Sequence, residues 1–324
     1  MRIAILGTGR MARARAALLR GHELVMAGSD AARTAAVAAD CDARPAGVEE
    51  ALAAGPDAVL VASATDRHAA HLRAAARLRV PVLCEKPIAL TLADTRAAVE
   101  ALDAAGATVQ VGFQRRFDSA FAAAREEVVA GRAGTLYCVR ISARDATPPA
   151  EHFVPGSGGI FRDMHVHDFD LARWITGREV ATAYATGVVR GFEHLARHGD
   201  ADTTAIVLTM DDGLPVLIDG CRHDPLGYDV RMEIAGSRDV LAVGLGPRTP
   251  LHRVGEDPPR RTWDSFAQRF AAAFERETEA FLALVRDGGA SPCPPSSALA
   301  ALRVAVACER SRGRGTPVPL AGGH

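Results

Sequence analysis

Through the first 117 residues, short apolar runs alternate with Ala-rich stretches of helical spacing, and this alternation limits the fold more than any other feature. RIAIL, ELVMA, DAVLVAS, VPVLCE and TVQVGF are strand-like. Between them lie helical segments at Ala12–Arg20, Thr34–Ala39 and 48–54, within 64–78, and at 91–105. Strands that alternate with helices fold as a parallel sheet covered on both faces. The pattern changes after Phe117. A helix at Phe121–Ala130 leads into GTLYCVRISA; a Pro-rich loop then precedes a helix at Phe161–Ile175. EVATAYATGVVR, DTTAIVLTM, LPVLIDGCR, VRMEIAG and DVLAVGL follow with turn signals between them, as in an open, mostly antiparallel sheet. PRTPLHRVGEDPPRR reads as an irregular loop, and helices at Ser265–Arg286 and Ser297–Arg310 close the chain. The expected fold class is α/β: a doubly wound parallel sheet over residues 1–118, then an α+β domain over 119–294.

A length of 324 residues suits two domains. With 38 basic against 39 acidic residues, no positive excess calls for nucleic acid or an anionic membrane. The apolar run at the N-terminus is too short for a signal segment, and no stretch approaches the ~20 apolar residues of a membrane span. Six cysteines without a CxxC pair read as thiols of a cytoplasmic protein.

The first strand runs into Gly7-Thr8-Gly9-Arg10-Met11-Ala12, which fits G-x-G-x-x-G/A between a strand and a helix. Gly7 permits the tight turn, Gly9 lets a pyrophosphate approach the backbone, and the helix N-terminus offers N–H groups to that anion. The second strand of such a unit usually ends in an acid that binds the ribose hydroxyls of NAD. Here Gly28 stands at that point, followed by Ser29, Asp30 and Arg33. Ser29 and Arg33 suit a 2′-phosphate and Arg10 can stack on adenine, whereas Asp30 suits an unphosphorylated ribose. The balance favours NADP over NAD.

Of the 38 basic residues only Lys86 is a lysine, leaving 38 − 1 = 37 arginines. Lysine can exchange a proton where arginine cannot, so a lone lysine is a candidate for proton chemistry, although codon drift produces the same count. Lys86 follows a strand, at the end of a parallel sheet that faces the cofactor crevice, and the sequence permits a cis Lys86–Pro87 bond. Further on, in GGIFRDMHVHDFD, Asp163 and His167 stand four apart and would share one helix face. Such a pair can fix an imidazole, or can simply be a surface interaction. His165, His167, Asp168 and Asp170 match no trusted zinc spacing, so no metal is expected.

Together these pieces resemble the Gfo/Idh/MocA oxidoreductase family, most closely its inositol 2-dehydrogenase branch. The matching segments are GTGRMA, ASATDRH at 62–68, EKP at 85–87, VGFQRRFD at 111–118, RDATPP at 144–149 and SGGIFRDMHVHDFDLARWITG at 157–177. They keep the family's order over essentially the whole chain. The resemblance implies a Rossmann domain to which the C-terminal segment, residues 295–324, returns, a substrate domain, and dimers or tetramers built on the outer face of the second sheet. It implies Lys86, Asp163 and His167 as catalytic residues. It places Ala62, Ser63, Ala64, Thr65, His68, Glu85 and Gln114, with Met11 of the Gly turn, on the cofactor side. Arg115, Arg144, Asp145 and Phe161 would face the substrate. Gly28 and the ASAT loop depart from the branch's usual ribose acid and TPT-like loop. The implied reaction is hydride transfer between a nicotinamide and a hydroxyl or keto carbon of an inositol or sugar. Alternatives are a keto-sugar or deoxysugar reductase of secondary metabolism, a NAD-dependent glycosidase and a non-catalytic nicotinamide-binding sensor.

Overall fold

The computed structural model describes residues 1–244 and 263–320; the expected loop at 247–261 lies outside them. The chain divides into two compact units. One contains Met1–Gln114 and Phe274–Ala300, the other Arg115–Ala273 and the chain from Ala301.

In the first unit the order is β1 (Arg2–Leu6), α1 (Arg10–Leu18), β2 (Glu23–Ala27), α2 (Ala31–Asp40), β3 (Arg44–Ala46), α3 (Val48–Ala53), β4 (Ala58–Val61), α4 (Thr65–Ala76), β5 (Val82–Cys84), α5 (Leu92–Ala104) and β6 (Val109–Val111). The strands form one parallel sheet in the order β3-β2-β1-β4-β5-β6. This is the doubly wound arrangement expected. Every residue of β4 and β5 is buried, which explains why these strands read as continuous apolar runs instead of alternating. Each fully buried Ile or Leu contributes about 1.5–3 kcal/mol relative to exposure. Asp30 caps α2 by accepting from the Arg33 N–H at 3.0 Å, and Thr91 caps α5 through the Asp94 N–H at 3.1 Å. The strand order reverses between β1 and β4, the switch point where such sheets bind ligands at their carboxyl ends.

A 3₁₀ turn, Gln114–Phe117, spans the boundary, and the second unit continues through α6 (Ser119–Val129), β7 (Leu136–Arg144), α7 (Val154–Ser157), α8 (Gly159–Asp163), α9 (Val166–Thr176), β8 (Val180–Val188), α10 (Glu193–Arg197), β9 (Thr203–Met210), β10 (Pro215–Cys221), β11 (Asp229–Gly236), β12 (Val240–Val243) and α11 (Phe266–Arg269). The last elements are α12 (Ala271–Asp287), α13 (Pro295–Arg314) and β13 (Val318–Pro319). Seven strands make one sheet in the order β12-β11-β7-β10-β9-β8-β13. Only β7 and β10 run parallel; the other neighbours are antiparallel.

Two expectations need correction. The stretch that returns to the first unit is Phe274–Ala300, so of residues 295–324 only 295–300 do so; Phe281, Leu282 and Val285 pack in that unit's core, whereas β13 pairs with β8 in the second sheet. The short α10 and β13 carry too little periodicity to be read from sequence. The helix expected at Phe161–Ile175 is broken at Met164–His165. The N–H groups of Met164 and His165 both donate to the Ile160 carbonyl at 3.0 Å, which widens the turn and ends α8.

Candidate active site

The first unit carries the dinucleotide turn. Gly7 has φ +137°, and a Cβ there would lie 2.3 Å from the Ala62 carbonyl oxygen, so β1 and β4 meet in a space that only glycine fits. Gly9 precedes α1 with no side-chain cap, α1 has no acid in its first turn, and nothing lies within 4 Å of a Gly9 Cβ. These open backbone donors fit a dinucleotide pyrophosphate. Arg10 opens α1, and Met11 packs against the apolar core. Ser29, Asp30 and Arg33 are exposed, with Arg33 Nη2 reaching the Thr8 carbonyl at 3.5 Å. Gly28 is forced by packing: a Cβ would lie 2.6 Å from Thr34 Oγ1 and 2.9 Å from Thr8 Cγ2.

At the carboxyl end of β5, Lys86 is half-buried and its bond to Pro87 is cis. His68, expected on the cofactor side, is buried as a tie. Its Nδ1 lies 2.7 Å from the Pro87 carbonyl oxygen and its Nε2 lies 2.9 Å from that of Ser63, joining the Ala62–Thr65 loop to the segment after Lys86. Ser63 Oγ also meets His71 Nδ1 at 3.0 Å. Glu85 points inward: Arg15 Nε donates to its Oε1 at 2.8 Å, and Arg15 Nη2 lies 2.6 Å from Glu277 Oε2. The Arg15 guanidinium also lies 4.8 Å from the centre of the Phe274 ring. One guanidinium neutralises one of the two carboxylates. Burial, opposed by Arg15 and reinforced by Glu85, pushes the Glu277 carboxyl up to about 7. Gln114 is buried at the start of the 3₁₀ turn.

The second unit carries Asp163 at the end of α8 and His167 in the first turn of α9, both half-buried. Because of the break they do not lie on successive turns of one helix. Asp163 Oδ2 accepts from Arg222 Nη1 at 3.0 Å, and Asp145 Oδ2 accepts from the same nitrogen at 3.2 Å. Burial works against the Arg222 charge, but Asp163, Asp145 and Asp200 outweigh it and hold its pKa above the ordinary value. Sequence reading missed Arg222. It follows β10, whose parallel register with β7 sets Cys221 beside Arg144, and the Asp145 N–H donates to the Cys221 carbonyl at 2.9 Å.

Other expected substrate residues are placed differently. Arg115 is 3% exposed and ion-paired with Asp168, with Tyr228 beside it. Its guanidinium is therefore bound into the interior. His165 Nδ1 donates to the second oxygen of Asp168 at 2.7 Å, and its Nε2 meets Thr204 Oγ1 at 2.7 Å. Burial, outweighed by Arg115 and His165, leaves the Asp168 carboxyl below its usual range, and burial pushes the Tyr228 hydroxyl up to about 12. Phe161 is buried, its ring centre 6.1 Å from that of His165. Arg144 pairs with Asp219, apart from the Asp145–Arg222–Asp163 group. Arg116 Nε donates to Asp170 Oδ2 at 2.9 Å. No group of three or more His, Cys, Asp or Glu residues suited to a metal occurs among the described residues.

Two family descriptions match the chain. Residues 1–113 match the oxidoreductase family with NAD-binding Rossmann fold, and residues 121–242 match the GFO/IDH/MocA C-terminal domain. The myo-inositol dehydrogenase Hyg17 of Streptomyces leeuwenhoekii is 39% identical over 99% of this chain and 100% of its own. An inositol 2-dehydrogenase of Rhizobium meliloti (strain 1021) is 34% identical over 96% of each. Among solved structures, a myo-inositol dehydrogenase from Corynebacterium glutamicum superposes with a TM-score of 0.90 at 30% identity, over 100% of this chain and 99% of that one. A scyllo-inositol dehydrogenase from Lactobacillus casei with bound NAD(H) and scyllo-inositol gives 0.88 at 25% identity over 99% of each. The parallel sheet, the glycine turn at its switch point and these matches along nearly the whole chain make this protein a member of the GFO/IDH/MocA oxidoreductase family.

Proposed function

We propose that the protein is an inositol dehydrogenase that exchanges hydride between a nicotinamide and a ring hydroxyl carbon, or the corresponding ketone. Similarity to inositol dehydrogenases over nearly the full length carries this reading. In this reading Lys86, Asp163 and His167 are the catalytic residues. The bound nicotinamide supplies hydride chemistry at C4. In the oxidising direction His167 takes the hydroxyl proton, Asp163 steadies the charged imidazole, and Lys86 donates a hydrogen bond to the reacting oxygen. Asp145 grips substrate hydroxyls. A site that pairs polar groups with each hydroxyl discriminates strongly among epimers.

The same reading assigns NADP as the preferred cofactor. The Thr8 and Thr34 side chains leave no room for an acid at position 28, and Asp30 is engaged as the α2 cap. Arg33 and Arg10 supply positive charge beside this turn. Relatives point the other way: a Bacillus subtilis protein, 30% identical over 82% of this chain, is a scyllo-inositol 2-dehydrogenase (NAD(+)). The working protein is proposed to be a cytoplasmic homodimer or homotetramer. Tyr184, Val207 and Leu217, adjacent across β8, β9 and β10 and all exposed, support association through that face of the sheet. Light scattering on the wild type and Leu217→Glu tests it, and an unassociated wild type would refute it.

The deciding experiment is turnover on a panel of inositols, aldoses and keto-sugars with NAD and NADP. Inositol turnover above all other classes supports the assignment; a keto-sugar preferred over every inositol would overturn it. Fluorescence titration should give tighter NADPH than NADH binding, with Arg33→Ala reversing the order. A tenfold preference of the wild type for NADH would refute the NADP assignment.

A further inference from the structure

We propose that Arg222 is a positioning residue for the reaction: its guanidinium holds the Asp163 carboxylate in its working orientation and ties it to Asp145, coupling proton handling to the grip on substrate hydroxyls. This inference rests on the roles given above to Asp163 and Asp145.

The geometry distinguishes Arg222 from the structural arginines of the same unit. Arg312 spends its three nitrogens on backbone carbonyls, those of Gly187 (3.1 Å), Gly199 (2.8 Å) and Asp200 (3.0 Å), and so stitches loops together. Arg222 donates to side-chain carboxylates alone in its recorded bonds, through the single Nη1. Its Nε and Nη2 are buried with no hydrogen-bond partner among the described residues. A buried guanidinium with donors unspent is costly unless its charge is needed where it sits. Here the charge faces carboxylates from three segments: Asp145 after β7, Asp163 at the end of α8, and Asp200 after α10. Asp200 itself holds the start of α8 by accepting from the Ile160 N–H at 2.9 Å. The neighbouring Arg162 is turned to Glu309, at 2.6 Å, whereas Arg222 meets Asp163 at 3.0 Å. Asp163 and Asp145 keep side-chain exposures of 22% and 25%, while Arg222 keeps 3%, so the arginine works from behind them.

The test compares Arg222→Met and Arg222→Lys with wild type in the full-length protein, on the best polyol of the panel. In Arg222→Met, kcat should fall on the order of 100-fold and the polyol KM should rise. Dinucleotide affinity, set in the other unit, should stay within about twofold. The acid limb of the kcat/KM profile should move to higher pH, because a carboxylate without its cation takes up protons sooner. Arg222→Lys keeps the charge without the fork, so it should restore the limb and only part of kcat. A purely structural arginine would lower the melting temperature of both variants and leave the pH limb in place; that result overturns the proposal. Should Arg222→Met not fold, Arg222→Lys with wild-type kcat and polyol KM would overturn it as well. A carbon-13 titration of the Asp163 carboxyl needs no substrate: a midpoint raised in Arg222→Met supports the assignment and an unchanged midpoint refutes it. Wild-type inertness on the whole panel would instead count against the proposed reaction, so the two failures are distinguishable.

Discussion

Lys86 and His167 are expected to share the proton chemistry, and each can be removed without disturbing the glycine turn that serves the dinucleotide. Lys86→Met and His167→Ala should each lower kcat by about 10²–10⁴-fold, the usual range for a lost acid or base, while dinucleotide binding measured by fluorescence persists. Near-normal turnover in either variant would end the assignment. At this scale the sequence was informative where a residue type was rare or a motif fixed. The single lysine and the G-x-G turn stood out among 324 residues. Arg222 did not, since 37 arginines hide one another and its partners lie 77 and 59 positions away. Arg115 was visible as a residue, but its burial against Asp168 depends on packing that no local pattern encodes.

At the scale of elements, the turn between α8 and α9 is docked onto the sheet by His165. The ring reaches β9 through Thr204, and it fits because β10 has glycine opposite: a Cβ at Gly220 would lie 2.3 Å from His165 Cε1. Gly220→Ala should therefore destabilise the protein by about 1–3 kcal/mol, seen as a lower melting temperature and reduced kcat. Full retention of both would show that the ring moves aside freely. A glycine inside an apolar strand was the one local sign of this close approach. The broken helix had no comparable sign, because its apolar spacing continues through Met164 and His165. The break comes instead from two N–H groups sharing the Ile160 carbonyl.

For the whole molecule, the parallel sheet was legible because every strand is followed by its own helix, so the topology is written locally. The second sheet was legible in kind but not in order. Its parallel β7–β10 pair joins strands some 70 residues apart, and the return of Phe274–Ala300 to the first unit is likewise long-range. That return brings Glu277 to Arg15 and Glu85. The Glu277 carboxyl titrates near 7 when folded and near 4.5 when exposed, so between these values the folded state holds a proton that the unfolded state has released. Its contribution to stability is full below about pH 4.5 and is lost as pH rises through 7. Glu277→Gln should flatten this fall, read as melting temperature against pH; an identical slope in wild type and variant would refute the account.

A protein with one side-chain amine, half sunk at the end of β5, offers chemists a single address. Among its side chains an amine-selective reagent has one target, Lys86. Intact mass then becomes a direct gauge of how far that strand end is shielded from one condition to the next.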